Sequence, residues 1–229
     1  MRRHLLGKAV CSAAIGVWGL VPQAQATIVD FESFAPSLFA DGDSFAENGY
    51  GMQVNGGFGV VDSAASFFLA QAPGGNDTQF YAGLSDGHLQ FARLDALPFR
   101  IDGFDAGFVA PVPQDAGLMA GRIQLVGIDL LGNTVNRSWD LGVSGDDGSF
   151  PFISFSGADF SALPSLKSAD FSACVYATSL DDCQNPYQNL AQFALDNINV
   201  AVVPEPSTYA LMALGLAGLA LCARRRAAR

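Results

Sequence analysis

Two carboxylates stand one residue apart near the start of the chain, Asp30 and Glu32, and an Asp196-Asn197 pair sits in the last apolar run before the C-terminal tail. Hard oxygen ligands brought from a first and a last strand suit calcium, which takes roughly six to eight of them. These four residues are therefore a candidate structural calcium site. The plainer alternative is charge on edge strands that discourages aggregation. Asp41, Asp43 and Glu47 form another oxygen cluster, but Phe45 occupies a ligand position and no Gly follows it, so an EF-hand loop is excluded.

Nucleophilic and acid–base chemistry finds little support. The chain has two His residues, His4 and His88. His88 stands alone in Ser85-Asp86-Gly87-His88, and Ser and Asp partners are so abundant by composition that no triad is singled out. A turn or strand-edge position is the expected role of His88. H-E-x-x-H, P-loop and dinucleotide patterns are absent. Asp41, Asp43, Asp86, Asp146 and Asp147 sit beside Gly in turn clusters, the pattern of solvated turn residues rather than of a glycosidase pair. The expectation is a protein that is not an enzyme. Cys174 and Cys183 remain once Cys11 and Cys222 are assigned to the two end segments. In an exported chain a disulfide is the default for such a pair. It would close a loop of about ten residues, worth roughly 2.5–3 kcal/mol. A metal pair or redox couple is the alternative, but the spacing is not C-x-x-C and no His lies nearby.

The ends supply the reason to expect export. Arg2, Arg3 and Lys8 precede the apolar run 9–21, which is too short to span a bilayer, and Ala24-Gln25-Ala26 is an A-x-A cleavage site. Residues 1–26 read as a signal peptide for Sec export machinery, with maturation at Thr27. At the other end, Val203-Pro204-Glu205-Pro206 is followed by an apolar run, Ser207 to Ala223, and then by Arg224, Arg225, Arg226 and Arg229. As a helix that run reaches about 25 Å. Snorkelling arginines extend it towards a hydrocarbon core of roughly 30 Å, with the basic end cytoplasmic. The organisation expected is a signal peptide over 1–26, an ectodomain over 27–202, and a tail with a transmembrane helix over 203–229.

The domain these elements frame is acidic. Between Thr27 and Val203 there are 21 acidic and five basic residues, for a net charge of −16. Nucleic acid and anionic lipid are excluded as partners of that segment by repulsion. All 18 Phe residues lie in it, enough apolar material for one core. Apolar stretches recur at 28–34, 57–61, 66–70, 79–84, 89–94, 99–108, 122–131, 134–141, 150–155, 169–176 and 193–203, separated by turn clusters such as Ser85-Asp86-Gly87 and Gly145-Asp146-Asp147-Gly148. This predicts an all-β, jelly-roll-like antiparallel sandwich. Alternation in 122–130 points Ile123 and Leu125 inward and changes phase near Gly127, where a bulge is expected. Leu131-Gly132-Asn133-Thr134 turns the chain into a return strand carrying Trp139. A long last strand has a phase break at Asp196-Asn197, and a short helix is expected within 157–166.

The tail resembles the PEP-CTERM sorting signal in all three of its parts: the Pro-Glu-Pro at Pro204, Glu205 and Pro206 behind Val203, the apolar run, and the terminal arginines Arg224, Arg225 and Arg226. That resemblance implies recognition by an exosortase, processing near the Pro-Glu-Pro, passage through the membrane, and delivery to a cell surface or exopolysaccharide matrix, as in biofilm-forming bacteria. Gln192-Phe193-Ala194-Leu195-Asp196 also resembles the Q-F-x-x-D motif of one PEP-CTERM subgroup. Asp30-Phe31-Glu32 with Leu195-Asp196-Asn197-Ile198 is similar to carbohydrate-binding jelly rolls, which implies structural calcium and assigns no sugar-binding residue. The expected function is a non-enzymatic surface or matrix protein that associates with exopolysaccharide. Trp139, Tyr50, Tyr81, Tyr176 and Tyr187 are candidates for stacking on sugar rings, with core packing the alternative role for most of them. A secreted hydrolase and an unprocessed membrane-tethered domain are the competing expectations.

Overall fold

A computed structural model describes residues 26–177, 179–203 and 206–227. The expected signal segment, apart from Ala26, lies outside the described residues, as do Pro204 and Glu205 of the tail. The strands in chain order are β1 (Ala26–Val29), β2 (Ser37–Phe39), β3 (Ser44–Glu47), β4 (Tyr50–Asn55), β5 (Phe58–Ser63), β6 (Gln79–Leu84), β7 (His88–Arg93), β8 (Phe99–Phe108), β9 (Gly121–Asp129), β10 (Thr134–Asp140), β11 (Ile153–Ser156), β12 (Leu166–Tyr176), β13 (Cys183–Gln184) and β14 (Phe193–Val202). One helix, α1 (Pro206–Ala227), follows.

The strand ladders are all antiparallel, and they form two layers. One runs β2-β5-β6-β14-β8-β11, with β1 beside the later half of β14. The other runs β3-β4-β7-β12-β9-β10. A single bridge, Leu166 to Phe99, joins them into a nearly closed sheet. The class expected from the spacing of apolar runs is therefore the one observed. Alternation drives the layering: Tyr50, Met52 and Val54 of β4, Leu89 and Phe91 of β7, and Ile123 and Leu125 of β9 are buried, while the residues between them are exposed or half-buried. Rings from the two layers meet in the middle. Phe104 and Phe171 pack edge-on at 5.5 Å, Phe91 and Phe99 likewise at 5.5 Å, and Phe45 and Tyr81 stack at 6.0 Å.

A second apolar cluster lies on the outer side of the first layer. Val60, Phe80, Ala82, Leu84, Val109 and Ala194 are buried there beneath Phe67, Ala70, Ala72 and Phe152. The apolar stretch 66–70 is thus not a strand but part of a roof that the β5–β6 connection lays over the sheet. Two buried carboxylates hold this roof. Asp62 accepts Ser63 N at 2.8 Å and the Ser66 hydroxyl, and Asp196 accepts Asn76 and Thr78.

Three other expectations are corrected. Gly127 is not a bulge: it stays in register with Val135 and Ala169, and it is Gly because a Cβ there would sit 2.8 Å from Leu166 Cδ2. The irregularity falls instead on the neighbouring strand, between Leu166 and Ser168. The helix expected within 157–166 is a single 3-10 turn, Gly157–Asp159. Asp30 and Glu32 lie just beyond β1 rather than on it, because Phe31 takes a φ of 60° and ends the extended run. The pairing of first and last strands holds, with Val29 opposite Ile198. So does the phase break, where β14 shifts register between Asp196 and Asn199 and Asn197 has a φ of 49°. The 122–140 hairpin also forms, turning at Leu131-Gly132 with Gly132 at a φ of 87°.

Candidate functional site

Polar residues collect in three places on the domain. The first is the middle of β14. Asp196 has no exposed surface. Its Oδ2 accepts Asn76 Nδ2 at 2.7 Å and Thr78 Oγ1 at 3.1 Å, and its Oδ1 accepts Asn197 N at 2.7 Å. Asn76 is locked in that orientation because its own Oδ1 accepts Thr78 N at 2.8 Å. Asp105 is the register partner of Asp196 on β8, and it accepts Asn197 Nδ2 at 2.8 Å. Burial pushes the Asp196 carboxyl up to about 6; the three hydrogen bonds oppose the shift and the Asp105 charge adds to it.

Of the four predicted calcium ligands, Asp196 and Asn197 come together here. Asp30 and Glu32 are engaged otherwise: Asp30 Oδ1 accepts Glu32 N at 3.3 Å, and Glu32 Oε1 accepts Gln79 N at 2.6 Å. Among the described residues no group of three or more His, Cys, Asp or Glu side chains is arranged to hold a metal ion. The groups that face Asp196 are hydrogen-bond donors: the Asn76 amide N–H, the Thr78 hydroxyl and the Asn197 backbone N–H. Asp105, Asn76 and Thr78, none of them singled out from sequence, belong to this cluster. The legible signal was Asn76-Asp77-Thr78, an Asx-turn pattern.

The second place is the end of the molecule where the disulfide lies. Cys174 and Cys183 are bonded, with their Cα atoms 5.3 Å apart, as the pairing from sequence expects. The segment that follows is pinned by Asp86, which is 7% exposed. Its carboxylate accepts Tyr187 N at 3.0 Å, Asn189 N at 2.9 Å and Ala191 N at 2.8 Å. His88 opens β7 beside it, with Nδ1 2.9 Å from Asp170 Oδ1 on β12. The Asp170 hydrogen bond holds the imidazole pKa above its ordinary value; partial burial opposes it, and Asn185 and Asp86 add to it. His88 is a strand residue with a fixed partner, a more specific role than the edge position expected.

The third place adjoins the disulfide, where β9 begins and β10 and β12 end: Arg122 is opposite both Cys174 and Asp140, and Tyr176 is opposite Cys183. Asp140 accepts Arg122 Nε at 2.7 Å and the Tyr176 hydroxyl, and the Arg122 guanidinium lies over the Tyr176 ring, 5.3 Å from its centroid. These contacts hold the Asp140 carboxyl below the usual range. The aromatic candidates for sugar stacking are thereby sorted. Tyr50 and Tyr81 are buried in the core, Trp139 packs on Phe104 and Phe160, and Arg122 lies over the ring of Tyr176. Tyr187 is half-buried on the segment that Asp86 pins.

After β14 the chain passes through Val203 and enters α1 at Pro206, where the rigid ring of a first-turn proline suits a helix start. Its 22 residues measure about 33 Å. Leu214, Leu216, Leu219 and Arg224 are exposed. Among the described residues no helix is long and apolar enough to cross a membrane.

Comparison with known proteins adds three findings. No curated protein matches this chain. Among solved structures it is similar to the enzymatically active domain of tailspike protein 4 of bacteriophage CBA120, at 11% identity and a TM-score of 0.29, over 76% of this chain but 20% of that one. A likeness that low says nothing of shape or activity. The model of the PEP-CTERM protein-sorting motif matches residues 202–226, beginning at the last residue of β14 and running through α1, so the C-terminal segment of this chain is a PEP-CTERM sorting motif.

Proposed function

We propose that this chain is a non-enzymatic surface or matrix protein, exported by the Sec machinery, held for a time at the membrane by its C-terminal sorting tail, and released by an exosortase near Pro204-Glu205-Pro206 to associate with exopolysaccharide. The observation that carries this reading is the match of residues 202–226 to the sorting motif, directly behind a β domain closed by one disulfide. A disulfide favours an oxidising compartment, and a net charge of −16 over residues 27–203 favours solubility outside the cell. The arginines at positions 224 to 226 would stay on the cytoplasmic side. Cell fractionation tests the reading. In a host with its exosortase the domain leaves the membrane fraction; in a host lacking the enzyme it stays there through the uncut tail. Equal distribution in both hosts would contradict it.

A calcium ion at Asp196 is a second proposal, supported by one observation: a carboxylate with no exposed surface, a second carboxylate across the ladder at Asp105, and no cationic side chain among its hydrogen-bond partners. Buried charge of this kind is ordinarily paired or metal-bound. Asp105 and Asp196 would be the anionic ligands, and the ion would hold the roof onto the sheet. Isothermal titration of the metal-free protein with calcium tests it, with binding heat expected and a flat titration fatal to it.

A further inference from the structure

The two outer sheet surfaces are treated differently. The first layer is roofed, as described above. The outer side of β4-β7-β12-β9-β10 carries no such cluster. Register places its outward residues in rows: Gln53 opposite Gln90, Gln90 opposite Asp170, Asp170 opposite Val126, Val126 opposite Asn136. One pair along, Asn55, His88, Ser172, Gln124 and Ser138 make a second row. Five strands at about 4.8 Å spacing make a surface roughly 20 Å wide. Gln90, Asn136 and Ser138 are exposed, and Gln53, Asn55 and Gln124 are half-buried.

The charge on this surface is unlike that of the domain. Its two carboxylates are each matched, Asp170 with His88 and Asp140 with Arg122. What is left between them, apart from the exposed Val126, is amide and hydroxyl, groups that donate and accept hydrogen bonds at once. A polyanion would be repelled by the acidic domain around this surface, and Arg137, the cation beside Asn136 and Ser138, is turned to the Asn136 and Ala162 carbonyls. A strongly cationic partner would find the acids already satisfied. We infer that the open surface of β4-β7-β12-β9-β10 is a docking site for a neutral, hydroxyl-rich polysaccharide, held by side-chain amides along the two rows rather than by aromatic stacking. The ligand class rests on the proposed association with exopolysaccharide; the surface rests on the geometry. Single-chain affinity should be low, because each net hydrogen bond is worth only about 1 kcal/mol, and multivalent display at a cell surface would raise it.

Affinity electrophoresis of the exported protein through gels containing a neutral glucan such as dextran, or the anionic polymer alginate, tests this. Retardation by the neutral polymer and none by alginate is expected. Gln90→Ala and Gln124→Ala should each weaken retardation about fivefold, with melting temperature unchanged, while Arg100→Ala on the opposite layer should leave it intact. Retardation of the wild type that survives both Gln substitutions overturns the surface and leaves the polysaccharide reading standing. Absence of retardation by a panel of neutral polymers overturns that reading itself. Preference for alginate, or self-association that the Gln substitutions abolish, overturns the choice of partner.

Discussion

Asp196 makes stability depend on pH in a direction opposite to that of ordinary surface acids. Its folded pKa is about 6, against an ordinary value of 3.8. The folded state therefore binds the proton more tightly than the unfolded state does, and the resulting stabilisation is complete below about 3.8 and lost as pH rises through 6. A pKa difference of about two corresponds to about 3 kcal/mol. Asp95, Asp129, Asp140 and Asp147 have lowered pKa values, so what they contribute is present above 3.8 and disappears only below it. The two windows do not overlap. Between pH 7 and pH 4.5, in calcium-free buffer, the domain should gain a large part of that 3 kcal/mol. At roughly 2–4 °C per kcal/mol for a domain of this size, the melting temperature rises by about 5–10 °C. Asp196→Asn removes the titration. Its carbonyl can keep Asn76 and Thr78, while its amide meets Asn197 N–H and costs about 1–3 kcal/mol. The variant should be less stable than wild type at pH 4.5, and between pH 7 and 4.5 it should keep only the gain near the top of the window that His88, whose pKa is also raised, contributes. Calorimetry or urea denaturation at closely spaced pH values measures both. Parallel profiles for wild type and variant would refute the assignment of the effect to Asp196.

Asp86→Ala leaves the backbone N–H groups of Tyr187, Asn189 and Ala191 without their carboxylate. It should cost about 3 kcal/mol and raise hydrogen exchange in residues 187–191, measurable by urea denaturation and mass spectrometry; unchanged exchange there would show that Asp86 does not pin the segment. His88 is the only histidine expected in a protein matured at Thr27, so its imidazole resonance can be followed directly by NMR. Its pKa should lie above the ordinary value and drop in Asp170→Asn, since the Asp170 hydrogen bond is the main cause of the elevation.

The parts legible in the sequence were those with local chemistry. The tail declares itself through Pro-Glu-Pro, an apolar run and arginines. The 122–140 hairpin follows from alternation and a Gly at the turn, and the phase break at Asp196-Asn197 appears as a broken apolar period. The region 35–56 passed unrecognised although it holds β2, β3 and β4, because Gly, Asp, Asn and Ala dilute its alternation and only the paired strands supply the burial. Phe67 looked like strand material because apolar content alone does not say whether a stretch lies within a sheet or over one. Gly127 looked like a bulge because its true constraint, the Leu166 side chain, comes from a strand 39 residues away in sequence. Asp105 and Asp86 were hidden for the same reason: the partners that give each its role are 91 or more residues distant in the chain.

Intact-mass measurement of the exported protein tests the central claim most directly. The expected product is a polypeptide that starts at Thr27, ends near Pro204-Glu205-Pro206 and carries a closed Cys174–Cys183 bond. A full-length chain in the cytosol, with both of those thiols free, would contradict it.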